Sequence, residues 1–145
     1  MKTHFPILFL VSALCLAPSE AEAVENRCRA IEPAPLDPDN LRWDSISGAA
    51  SVDLTAMGER FPGETYSGSL TRTAEHTNGR KKYNFLFKTP YTAWRQEIEY
   101  VLIPASAPRE PDIYFLRGVM YTYEDGIRHL DILIAGLEVR CTFGQ

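Results

Sequence analysis

The residues with the clearest chemistry in this chain are two cysteines near its ends. Cys28 and Cys141 remain once an amino-terminal leader is set aside, and an even number of cysteines in an exported chain predicts a disulfide. Closing so long a loop would remove unfolded-state entropy worth about 4 to 5 kcal/mol. We therefore expect one bond that ties the termini together. A metal site is disfavoured, because His76 and His129 lack close ligand spacing to either cysteine.

Two arginines stand in otherwise apolar rows of the sequence. Arg72 lies between Leu70 and Ala74, and Arg117 lies two residues after Phe115. If these rows face an interior, each guanidinium group needs a partner, which makes Arg72 and Arg117 candidates for binding an anionic ligand in a cavity. The alternatives, which the sequence favours, are a strand-edge position, a β-bulge that turns the side chain outward, or an aliphatic stem lying along apolar neighbours.

A third candidate is a stiff, charged loop. Residues 104–112 contain three prolines and adjacent opposite charges, which indicates an exposed loop between two strands. Stiff loops on a rigid β scaffold lose little entropy on docking. Arg109, Glu110 and Asp112 are therefore candidate contacts with another protein.

Signatures of catalysis are missing from the sequence. It has no Gly-x-Ser-x-Gly elbow, no His-Glu-x-x-His pair and no glycine-rich phosphate loop, and the predicted disulfide leaves no free thiol as a nucleophile. We therefore predict no catalytic residues, no metal ion and no cofactor, and we expect that the protein is not an enzyme.

The elements that would position these residues are β-strands joined by tight turns. Asn78-Gly79 and Asp125-Gly126 each separate two runs of alternating polar and apolar residues, which is the strongest short-range signal for a β-hairpin. We predict two-residue loops that pair Thr77 with Arg80 and Glu124 with Ile127. In these registers Glu75 lies opposite Lys82, and Phe115 lies opposite Gly136, where an aromatic ring would cover a strand glycine.

The whole chain fits a single all-β domain. No segment shows a helical period over ten residues, so we predict an antiparallel meander that closes into a small barrel or a two-sheet sandwich. We expect residues 41–145 to form this β domain. Residues 24–40 contain three prolines and no apolar period, which predicts an extended amino-terminal arm tied down at Cys28.

Residues 1–23 have the features of a secretory signal peptide. Lys2 precedes an apolar run from residue 5 to residue 17, and Ala21-Glu22-Ala23 supplies a small-x-small cleavage site. The run is too short to cross a bilayer, and no later run approaches 18 apolar residues, so no membrane span is expected. These features predict a secreted or periplasmic protein.

The net charge of the chain disfavours one class of partner, nucleic acid. Without residues 1–23 the chain has 14 basic and 17 acidic residues, so it lacks the positive charge that nucleic-acid binding needs. We hypothesise an exported module that binds another protein, for example as an inhibitor or an immunity-type partner. The alternative is a small β-barrel that binds an apolar or anionic small molecule around Arg72 and Arg117.

Overall fold

A computed structural model describes residues 24–35, 37–56, 59, 63–77, 79–88 and 95–144. The predicted signal peptide lies outside the described residues. Eight strands follow one another along the chain: β1 (Glu25–Ala30), β2 (Pro38–Asp44), β3 (Ala49–Leu54), β4 (Glu64–Glu75), β5 (Lys81–Lys88), β6 (Arg95–Pro104), β7 (Ile113–Glu124) and β8 (Ile127–Thr142).

The eight strands form a closed antiparallel barrel. Each strand pairs with the next one in the sequence, and β8 pairs with β1 over residues 27–30 to complete the circle. The prediction of an all-β antiparallel meander is confirmed, and of the two architectures left open the barrel is the one observed. Within the described part of the chain, we find no helix with the length and apolar character that crossing a membrane requires.

The predicted amino-terminal arm is extended, but its first half is a strand of the barrel. Residues 25–30 pair with β2 on one side and with β8 on the other, and β2 begins at Pro38. The sheet therefore has no boundary at residue 40. The apolar pattern did not reveal β1 because its two buried side chains are Asn26 and Cys28, which are not aliphatic.

The predicted disulfide joins the first strand to the last. Cys28 and Cys141 are bonded, and they also lie directly opposite each other in the β1–β8 ladder. Both residues are buried. A disulfide at this position is consistent with an oxidising, extracellular environment.

The two hairpins differ in how well the sequence predicted them. Glu124 pairs with Ile127 as predicted, and Asp125 and Gly126 have φ angles of 52° and 77°, as a two-residue turn of this type requires. Farther along, two bulges shift the register, so that Phe115 lies opposite Glu138. The predicted pairing of Phe115 with Gly136 is therefore wrong.

The first hairpin has a longer loop than predicted. The His76 amide donates to the Arg80 carbonyl oxygen, and the Arg80 amide donates to the Thr77 carbonyl oxygen. Gly79 at the end of this loop has a φ of 72°, which fits a three-residue loop that closes on a left-handed residue. The register consequently moves by one residue, and Glu75 lies opposite Lys81.

Aromatic rings fill much of the barrel interior. The ring of Tyr100 packs against that of Phe87 and also lies over Gly118, where a Cβ atom would be 2.4 Å from Tyr100 Cε1. Gly118 is therefore a strand glycine covered by an aromatic ring, and Gly68 in β4 lies against the Phe87 ring in a similar way. The core residues exposed by 2% or less include Leu41, Trp43, Val52, Phe85, Phe87, Ile98, Tyr100, Leu102, Leu116 and Val139.

Asp53 is expected to make the stability of the barrel depend on pH in the acid range. Partial burial raises the pKa of its carboxyl group, but hydrogen bonds from Asn40 (3.0 Å) and Thr65 (2.8 Å) and the charge of Arg42 (3.5 Å) together hold that pKa below its ordinary value. Stability from this group is present above the unfolded-state pKa of about 3.9 and is lost as the pH falls through the folded-state pKa.

We therefore expect the free energy of unfolding to fall between pH 5 and pH 2 by less in Asp53→Asn than in the native protein. Urea denaturation at a series of pH values measures this difference. An acid-induced loss of the same size in both proteins would show that Asp53 does not contribute.

Candidate functional site

Arg72 and Arg117 lie on the same side of the outer surface of the barrel, and both side chains are exposed. Arg72 lies opposite Asn84 in the β4–β5 ladder, Asn84 lies opposite Val101, and Val101 lies opposite Arg117. These four residues thus form one cross-strand row on one face. With a strand spacing of about 4.8 Å, the row separates the two arginine Cα atoms by about 14 Å.

Neither arginine faces the barrel interior, contrary to the cavity hypothesis. A bulge between Leu70 and Arg72 moves Arg72 from the inward row of Leu70 to the outer row, so the bulge alternative describes it correctly. Arg117 faces outward without any bulge in its own strand. Its row along β7 faces outward, while the alternate residues Leu116 and Gly118 are the buried ones.

An apolar area surrounds Arg117 on this outer surface. Its side chains come from β5, β6 and β7 and are all half-buried. Ile103 lies opposite Phe115, next to the row that holds Arg117. We call this area the outer patch, which consists of Leu86, Val101, Ile103, Phe115, Val119 and Arg117. A solvated face of an antiparallel sheet is normally polar, so this group of apolar side chains, with the exposed Glu99 between Leu86 and Val119, is unusual for an outer wall.

Aromatic side chains extend the outer patch towards the β7–β8 turn. The Arg128 guanidinium carbon lies 4.1 Å from the centre of the Tyr121 ring, and the Tyr123 hydroxyl donates to Glu97 Oε2 at 3.0 Å. Leu130, opposite Tyr121, is 62% exposed. Tyrosine and arginine are the residue types enriched at the centres of protein–protein interfaces.

The predicted contact loop borders the outer patch. Arg109 forms an ion pair with Glu138, and its guanidinium carbon lies 5.9 Å from the centre of the Phe115 ring. Glu110 and Asp112 both bind Arg140, at 2.8 and 2.6 Å. The three charged residues that the sequence singled out therefore hold the loop against β8.

Arg80 fixes the shape of this loop, and the sequence did not single it out. Its guanidinium group donates to the carbonyl oxygens of Ala105 (2.7 Å), Pro111 and Ile113 (3.4 Å), and it lies over the ring of Tyr114. In the sequence Arg80 is the first residue of a short basic run beside a turn, which gives no sign of this role. Arg80 therefore links the two ends of the loop.

A depression of about 280 Å³ opens beside the outer patch, at the bulge in β4. Asn84 Oδ1 is buried there without a hydrogen-bond partner, and the Thr71 hydroxyl donates to the Asn84 carbonyl oxygen at 3.2 Å. The carboxylate of Glu99 is exposed and forms no ion pair with any described residue. The lining residues are Thr71, Asn84, Phe85, Leu86, Glu99, Tyr100 and Val101.

A second, shallower depression of about 360 Å³ lies over β1, β2 and β3. Its charged groups already have partners. Arg42 binds Ser51 and Asp53, and Asp44 accepts a hydrogen bond from the Ile46 amide, which lowers the pKa of the Asp44 carboxyl group. Unlike the depression beside the outer patch, its charged groups are therefore occupied by the barrel's own hydrogen bonds and ion pairs.

The described residues contain no group of three or more His, Cys, Asp or Glu side chains placed to share a metal ion. No protein-family model, curated protein sequence or solved structure matches the chain.

Proposed function

We propose that this protein is an exported protein-binding module, for example an inhibitor or an immunity-type partner, and that it binds its partner through the outer patch. One observation carries the proposal. Arg117 is exposed at the centre of a half-buried apolar area on the outer wall of the barrel, where a polar surface would be expected.

The physical properties of this surface suit a protein partner. An arginine surrounded by apolar side chains is typical of an interface centre, where the neighbours exclude water from the charged contact. The outer patch lies on paired strands and the adjoining loop is held by Arg80, so little conformational entropy is lost on binding. Tyr121 and Tyr123 extend the contact area at low entropic cost.

Charge reversal at Arg117 tests the proposal. Immobilised native protein captures its partner from the exported fraction of the producing cells, and the affinity of the purified pair is measured by calorimetry. We expect Arg117→Glu to weaken binding at least tenfold, a loss of about 1.4 kcal/mol. Folding should be unaffected, because substitutions at exposed sites usually change stability by about 0.5 kcal/mol or less.

Two further variants show which surface is responsible. Arg27→Glu changes an exposed arginine on β1, outside the outer patch, and should leave the affinity unchanged. Replacement of Arg109, Glu110 and Asp112 by serine tests the loop separately. An effect confined to the triple variant would move the binding site to the loop, and unchanged affinity in every variant would contradict binding through this side of the barrel.

A further inference from the structure

We propose that the depression beside the outer patch receives a lysine or arginine side chain of the protein partner. This inference rests on the proposed function and specifies the chemistry of the partner.

The depression offers two hydrogen-bond acceptors that the barrel does not use. Asn84 Oδ1 is buried without a partner, and the nearby carboxylate of Glu99 has no ion pair among the described residues. Asn84 lies opposite Val101 and Glu99 lies opposite Leu86, so the two acceptors are diagonal neighbours on β5 and β6. A buried acceptor without a donor is unfavourable. A turn of the Asn84 amide into the depression would expose Oδ1 and let one cationic donor bind it together with the carboxylate.

The size and walls of the depression fit one long side chain. Its volume of about 280 Å³ is just below the range for whole-ligand pockets, which begins at about 300 Å³. Leu86 and Val101 supply apolar walls along which the methylene groups of lysine or arginine can lie while the charged end reaches the acceptors. An acidic side chain would be repelled by Glu99, and an aliphatic one would leave Asn84 Oδ1 unsatisfied.

The charges around the depression define the partner further. Arg72 and Arg117 are in the same cross-strand row as Asn84, one on each side of the Asn84–Val101 pair. Neither arginine lines the depression, and both are exposed, so solvent screens their repulsion of a bound cation. The complementary partner segment therefore carries a basic residue with acidic residues on both sides.

Side-chain probes test the inference without the partner. N-acetyl-arginine methylamide, N-acetyl-lysine methylamide and N-acetyl-glutamate methylamide are titrated into the folded protein and followed by ¹H–¹⁵N NMR. We expect saturable shifts of the Asn84 side-chain amide and of the Leu86 and Val101 backbone amides with the two basic probes, and none with the acidic probe. Glu99→Gln should weaken the binding of the basic probes at least fivefold.

The matched control is Glu75→Gln, which removes an exposed carboxylate of β4 away from the depression and should leave probe binding unchanged. Equal shifts with the acidic probe, or undiminished binding in Glu99→Gln, would overturn the inference. Tenfold tighter binding of agmatine than of the blocked arginine would also overturn it, since the site would then prefer a free amine to a protein side chain.

The same data separate this inference from the proposed function. If the basic probes do not bind but Arg117→Glu weakens the partner complex, the basic side chain is ruled out and the protein-binding role stands. If the probes bind as expected while Arg117→Glu has no effect on the partner, the depression is confirmed as a cation site and the outer patch is not the partner's binding surface.

Discussion

Replacing Cys28 and Cys141 together with alanine should lower the free energy of unfolding by about 2 to 5 kcal/mol. The bond spans 113 residues, so its loss restores much conformational freedom to the unfolded chain. It also lies in the ladder that closes the barrel, where β1 and β8 pair only over residues 27–30. Both sulfur atoms are buried, and their removal leaves unfilled volume as well.

Urea denaturation of the oxidised protein and of the double variant measures this loss. The native sequence in a reducing agent is the control, because it breaks the bond without changing packing volume greatly. Reduction of the bond alone should account for most of the loss in the free energy of unfolding. A difference below about 1 kcal/mol would mean that the β1–β8 ladder closes the barrel without the help of the bond.

Gly118→Ala should be nearly as damaging, with an expected loss of about 3 kcal/mol from overpacking. The added Cβ atom would lie 2.4 Å from Tyr100 Cε1 and 2.5 Å from Tyr100 Cδ1. Tyr100 is 1% exposed and its ring packs against Phe87, so moving the ring away from an added Cβ atom would disturb the core. Thermal and urea unfolding of the single variant measure the loss.

A double-mutant cycle identifies the cause. Tyr100→Leu removes the ring, so Gly118→Ala should cost much less in that background than in the native one. Tyr100→Phe is the matched control. It keeps the ring and removes only a hydroxyl group that is buried without a hydrogen-bond partner, so the cost of Gly118→Ala should remain. Additive losses with Tyr100→Leu would refute a clash between the two residues.

Local turn chemistry made most of the fold predictable. Asp125-Gly126 fixed both the position and the register of its hairpin near the turn, because two adjacent residues with positive φ are compatible with few loops. Asn78-Gly79 fixed the position of the other hairpin but not its register. A three-residue loop is compatible with the same residues, and packing between the strands decides between the two.

The site was less predictable because period-two patterns do not tell the inside of a sheet from the outside. On β7, the row of Phe115 and Arg117 is as apolar in sequence as the row of Leu116 and Gly118, yet only the second row is buried. The sequence pattern did not predict the bulges either, because a bulge depends on the pairing with the partner strand. The outward orientation of Arg72 results from the bulge in β4, and the depression lies beside that bulge.

The pairing of the first strand with the last has a consequence for engineering by circular permutation. Gly144 donates a hydrogen bond to Asn26 Oδ1, so a short linker can join residue 144 to Val24 while a new chain start is opened at the exposed Gly126. In the permuted chain Cys141 would precede Cys28 by only a few residues plus the linker. The bond would then enclose a short loop and lose part of its entropic effect on the unfolded state. A permuted barrel thus separates the contribution of the bond from that of the strand ladder in which it lies.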